Sequence, residues 1–209
     1  MIGKNLFWDS CVFIRYVAND VVADHFNDIA RFVAEAKSGK RQIYYSTITL
    51  AEFKPDHFNG SEFGSVRDFF DDMGSACIPI EPNPNVLISV GELRSARSTN
   101  PQKPDGPHRS IATPDAIILM SALFARNALG VSDLILHSTD EGKGKNWYGR
   151  SVPLVGFERW YPESTRTDRV KEVCSLPREK PIHPEPELEA IVVHGNFNFK
   201  RGPEGGEAG

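Results

Sequence analysis

The chain has 209 residues, 40% hydrophobic and 25% charged, with a net charge of −4 and a pI near 5.9. That is ordinary globular composition, enough for one domain or one domain with an appendage, and the acidic balance counts against a general nucleic-acid binder. No apolar run is long enough to span a membrane, the N-terminus turns acidic too soon for a secretory signal, and Cys11, Cys77 and Cys174 form no disulfide framework or metal spacing, so a reducing cytoplasm is expected.

In chain order, Leu6-Phe7-Trp8 reads as a short buried strand ending at Asp9, and Cys11 to Val17 as a helix directly after it. Val22, Phe26, Ile29, Val33 and Ala36 recur at helical spacing, and Ser38-Gly39 stops that helix. Ile43 to Ser46 is a second strand, and Thr47 or Thr49 can cap a helix carrying Glu52. After a polar stretch broken by Pro55 and Gly60, a helix uses Val66, Phe69, Phe70 and Met73; a strand follows at Ala76 to Ile80, then a helix over Val86 to Arg97. Ser98 to Arg109 is a proline-rich loop. Thr113 can then cap a helix with Pro114 in its first turn and Asp115 next, running to about Leu129. Leu134-Ile135-Leu136 is a strand with Asp140 just beyond it, and Val152 to Phe157 reads as a last strand.

Strands alternate with helices, which predicts an α/β sandwich around a mostly parallel sheet, with sites beyond the carboxyl ends of the strands. From Tyr161 the composition turns charged and proline-rich, which divides the chain into a domain over 1–160 and an appendage over 161–209, partly disordered or docked. Within the appendage Leu188 to Phe199 can dock as a strand.

Four carboxylates fall at strand ends and helix starts: Asp9, Glu52, Asp115 and Asp140. Each has an ordinary explanation. Asp9 can cap the following helix, Asp115 can answer its helix dipole, Asp140 can serve a turn with Gly142, and Glu52 can be a solvated helix residue. Gathered in one place, the four would repel and raise one another's pKa values unless cations neutralised them. Oxygen ligands of this kind suit Mg²⁺ or Mn²⁺, ions that activate water and stabilise charge in phosphodiester hydrolysis.

The segment Leu6-Phe7-Trp8-Asp9-Ser10-Cys11-Val12-Phe13-Ile14 resembles the opening motif of PIN domains. Thr49-Leu50-Ala51-Glu52-Phe53 resembles their second motif, Pro114-Asp115-Ala116-Ile117-Ile118 their third, and Leu134 to Asp140 their fourth. The resemblance covers roughly residues 5 to 158, and the nearest comparison is the toxin of VapBC-type toxin–antitoxin pairs. It implies a PIN-like, Rossmann-like α/β/α sandwich, a metal site of Asp9, Glu52, Asp115 and Asp140 holding Mg²⁺ or Mn²⁺, and endoribonuclease activity. It also implies supporting roles for Ser10 and Thr139, a homodimer, an RNA substrate and an antitoxin partner. Cys11 stands where Asn or a similar polar residue is frequent, and the tail after Tyr161 is extra. Two alternatives remain open: an RNA-processing nuclease outside any toxin–antitoxin system, and a weakly active RNA- or protein-binding module.

Other candidates have plainer uses. Glu141 reads as a turn residue, the histidines show no ligand spacing, and Trp147-Tyr148 reads as packing. Arg94, Arg97, Lys103, His108 and Arg109 surround the long loop; a solvated loop is the ordinary reading and a grip on phosphates the alternative.

Overall fold

A computed structural model of the chain describes residues 5–101, 104–106, 108–142 and 151–184. Its strands are β1 (Asn5–Trp8), β2 (Gln42–Ser46), β3 (Cys77–Ile80), β4 (Leu134–His137) and β5 (Arg178–Glu179). They form one five-stranded sheet of order β3-β2-β1-β4-β5, and every pairing is parallel. Among the described residues the helices are α1 (Ser10–Val17), α2 (Phe26–Lys37), α3 (Val66–Met73), α4 (Pro84–Ser95), α5 (Thr113–Asn127) and α6 (Asp168–Cys174). The fold is α/β, with the layered parallel sheet expected from the alternation of elements.

Alternation along β1 explains the layers. Leu6, Phe7 and Trp8 are all fully buried, as a central parallel strand requires. Leu6 and Trp8 join one core with Val12 and Phe13 of α1, Ile29 and Phe32 of α2, and Phe69 of α3. Phe7 belongs to the opposite core, with Val90 of α4, Ile118 and Leu119 of α5, and Val170 of α6. Two helix layers therefore sandwich the sheet. Helix α5 is apolar nearly all round, and a bond of 3.0 Å between Ser46 and Ser121 ties it to the end of β2.

Several local expectations need correction. The second helix starts at Phe26 rather than near Val22: His25 has φ 69, and Val22 is 90% exposed, so it belongs to no buried face. Glu52 is not carried on a helix. It ends a short 3₁₀ turn, Thr47–Ala51, because Pro55 forces Lys54 into an extended conformation and the β-branched Thr-Ile-Thr run gives an α-helix little support. Thr113 is already helical, with Ala112 at the cap position. The helix expected to reach Arg97 ends at Ser95, where Ala96 turns extended.

The largest correction concerns the last strand. Val152 to Phe157 forms none. Pro153 has no N–H to give, and the next two donors go to Asp140: Leu154 N–H to its Oδ2 at 3.2 Å and Val155 N–H to its backbone oxygen at 2.9 Å. The fifth strand is instead Arg178–Glu179, from the segment that composition assigns to the appendage. That segment packs on the domain as far as residue 184: Tyr161, Val170, Val173 and Leu176 are all at most 1% exposed and join the core beside α4 and α5. The strand expected at Leu188 to Phe199 and the pair Trp147-Tyr148 lie outside the described residues.

Among the described residues no helix is long and apolar enough to cross a membrane, and all three cysteines are free thiols. Because Leu176 fills the core, Leu176→Ala is expected to cost about 2–4 kcal/mol in urea unfolding. A value below about 0.5 kcal/mol would instead mark residues 161–184 as detachable.

Candidate active site

The strand order changes direction at β1. From it the chain steps outward to β2 and β3 on one side, then returns to place β4 on the other. Such a switch point leaves a crevice beyond the carboxyl ends of the two central strands. Asp9 directly follows β1 and Asp140 follows β4, while Glu52 follows β2 through its 3₁₀ turn. Asp115 comes in the first turn of α5, whose far end leads into β4.

Asp9 is the most firmly held. It occupies the cap position of α1, yet its side chain does not cap the helix. Three neutral donors take the carboxylate instead. Ser10 Oγ donates to Oδ1 at 3.2 Å, and Cys11 Sγ and Ser138 Oγ each donate to Oδ2 at 2.8 Å. Burial, with Asp9 4% exposed, raises its pKa; the three hydrogen bonds work against that, and the Asp140 charge adds to it.

Ser10 also donates to Glu52 Oε2 in a short contact. One hydroxyl proton thus faces two carboxylates, joining the element after β1 to the one after β2. Burial raises the Glu52 pKa, and the Asp9 charge raises it further.

Asp115 has no hydrogen-bond partner for its carboxylate among the described residues. Burial first, then the charges of Asp9, Asp140 and Glu52, push its pKa up to about 8. A helix dipole favours an anion here by only about 0.3–1 kcal/mol, so burial and repulsion win. All four expected acids therefore share one electrostatic neighbourhood.

Asp140 also does what its ordinary explanation required. Its Oδ1 accepts the Gly142 N–H at 2.9 Å, and its Oδ2 accepts that of Leu154. Among the described residues no Lys or Arg pairs with any of the four acids.

Of the supporting residues, Ser10 joins the cluster. Thr139 joins through Cys11: its backbone N–H donates to Cys11 Sγ at 3.2 Å, and its side chain acts on the same thiol. The hydroxyl that reaches Asp9 belongs to Ser138, which also accepts the Asp140 N–H at 3.0 Å. Sequence reasoning missed Ser138 and Cys11. The available signal was register: Trp8 pairs with His137, so the next residue along β4 lies beside Asp9. His137 itself packs on Phe32, with ring centroids 5.0 Å apart.

The donor set is all oxygen apart from one thiol, anionic and, among the described residues, unpaired with any Lys or Arg, which fits a hard divalent ion. As the chain stands, no three His, Cys, Asp or Glu groups among the described residues form a metal-ligating cluster. Glu52 instead accepts from Ser10, and Asp140 from the backbone N–H groups of Gly142 and Leu154. A groove of about 800 Å³ lies elsewhere, lined by Asn5 and Gln42 at the starts of β1 and β2, and contains none of the acids.

The raised Asp115 value fixes the sign of a pH effect. The folded state holds this proton more tightly than the unfolded state, so the Asp115 contribution to metal-free stability falls from about pH 4 upward and levels off above about pH 8. Asp115→Asn is expected to flatten that decline in thermal melts and to gain roughly 1–2 kcal/mol at pH 9. An unchanged decline would show that Asp115 is not strained by its neighbours. No known family, curated protein or solved structure matches the chain, so its chemistry has to follow from its own residues.

Proposed function

We propose that the chain is a metal-dependent endoribonuclease that hydrolyses RNA phosphodiesters, with Asp9, Glu52, Asp115 and Asp140 holding Mg²⁺ or Mn²⁺. One observation carries this proposal: four acids from four separate elements come together at the switch point of the sheet, where burial first and their mutual charge second raise the pKa of Asp9, Glu52 and Asp115, and no Lys or Arg among the described residues pairs with any of the four. Natural folds seldom keep such repulsion without a use for it.

When bound, such an ion supplies Lewis acidity toward a phosphodiester oxygen and lowers the pKa of a coordinated water. The protein's part is orientation. Ser10, Cys11 and Ser138 fix the rotation of the Asp9 carboxylate, and Ser10 sets Glu52 beside it. Asp115, at the start of α5, has no hydrogen-bond partner for its carboxylate among the described residues. Asp140 fastens residues 154–155 while its charge reaches Asp9 and Asp115.

Incubation of a labelled RNA with the protein and Mn²⁺ is expected to give cleavage that EDTA abolishes. Asp9→Asn and Asp115→Asn are each expected to reduce it by more than about 100-fold, beyond the usual effect of outer-shell partners, while preserving the circular-dichroism spectrum. Activity at the wild-type level in either variant removes that residue from the mechanism, and intact RNA with the wild-type protein removes the nuclease assignment. The likeness to VapBC-type toxins extends the proposal to growth arrest on expression, relieved by a small co-encoded antitoxin. Cleavage without growth arrest would favour an RNA-processing role instead.

A further inference from the structure

The long loop that precedes α5 is closed at its base. Ser98 is fully buried; its hydroxyl bonds the Arg109 carbonyl and accepts the Arg109 N–H at 3.0 Å. The Ser98 carbonyl meets His108 Nδ1 at 2.6 Å. These bonds set Arg97, which precedes Ser98, beside His108 and Arg109. The Arg109 guanidinium stacks over Trp160, 4.9 Å from the ring centroid, and the Trp160 carbonyl accepts the Thr99 N–H at 2.7 Å. One turn back on α4, Arg94 Nε donates to the Ile111 carbonyl at 3.3 Å.

The result is a braced cationic ridge leading into the helix that bears Asp115. From Arg94 to Thr113 the sequence holds Arg94, Arg97, Lys103 and Arg109 against one acid, Asp105, in a chain of net charge −4. Elsewhere the arginines and lysines commonly meet acids: Arg169 with Glu92 at 2.8 Å, Arg178 with Glu158 at 2.9 Å, Lys180 with Glu141 at 3.1 Å. Arg94 and Arg97 are exposed, and among the described residues neither meets a carboxylate. Ile111 is four residues from Asp115, so the two Cα atoms lie within about 14 Å.

We propose that Arg94 and Arg97, on this ridge, bind phosphates of a single-stranded RNA as it passes toward the acidic site. The proposal rests on the nuclease assignment for its choice of polymer. A polyanion approaching these acids is repelled, and cations on the segment that leads into α5 offset that repulsion along the approach. Guanidinium groups suit the task because their planar fork matches two phosphate oxygens. Ile111 and Trp160, which brace the ridge, are both buried.

Fluorescence anisotropy with a labelled single-stranded oligoribonucleotide, in EDTA over a salt series, tests this without requiring cleavage. Arg94→Glu/Arg97→Glu is expected to weaken binding at least tenfold at low salt and to make the salt slope shallower by about 1.4, since each single-strand phosphate contact contributes about 0.7. Arg94→Lys/Arg97→Lys is expected to retain the wild-type slope, which separates charge from misfolding. The proposal is overturned if the wild type does not bind, if the Glu pair binds as the wild type does, or if the Lys pair loses as much as the Glu pair. It is equally overturned if an acidic peptide of matched charge competes as well as RNA. Loss of the slope together with absent Mn²⁺-dependent cleavage would sink the nuclease assignment and leave the ridge standing; cleavage with an unaltered slope would do the reverse.

Discussion

Burial of four acids within one another's field is the constraint around which the switch-point end of this molecule is organised. Coulomb energy between unit charges a few ångströms apart is about 1 kcal/mol in water and about 4 kcal/mol near a protein surface. The chain nonetheless buries Asp9 almost completely and sets Asp115, Glu52 and Asp140 within its field. Burial and mutual charge raise three of the four pKa values, and the fourth carboxylate is held by backbone donors. A domain of ordinary stability, about 5–15 kcal/mol, tolerates this only because the rest of the fold is well packed.

The sheet supplies that packing and the convergence together. A parallel strand buried on both faces has little freedom, so the ends of β1 and β4 are fixed relative to each other, and Asp9 and Ser138 are fixed with them. Helix α5, apolar nearly all round and tied to β2 through Ser121 and Ser46, delivers Asp115 to the same edge. The segment after Tyr161 completes the opposite face: α6 seals the core, and β5 covers the edge of β4. Charge at one end of the sheet is thus offset by apolar burial through its middle.

The layered α/β fold was legible in the alternation of elements, and so were the acids that meet at the switch point, while local details were less so. Asp9, Asp115 and Asp140 were legible because each sits at the junction of a short apolar run and a helix start or turn. Glu52 was legible as an acid after the second strand, though its support was mistaken for a helix; the effect of Pro55 on Lys54 was the overlooked signal. Ser138 and Cys11 were missed because their roles depend on register and on side-chain rotation, which no local pattern records. The false last strand had a similar origin. Val152 to Phe157 has strand composition, but the N–H groups of Leu154 and Val155 are claimed by Asp140, tertiary bonds invisible to periodicity. Conversely, Arg178–Glu179 lacks apolar character and pairs only because β4 offers it an edge.

The most direct test of the account is calorimetric titration of Mn²⁺ into the full chain at pH 7, repeated in two buffers of different ionisation enthalpy. A raised Asp115 pKa of about 8 means that this carboxyl is largely protonated at pH 7 before the ion arrives, so binding is expected to release about one proton per site. The heats should then differ by the number of protons released times the difference between the two buffers' ionisation enthalpies. Equal heats in both buffers, or no binding at all, would contradict the claim that these four acids form a site made for a divalent cation.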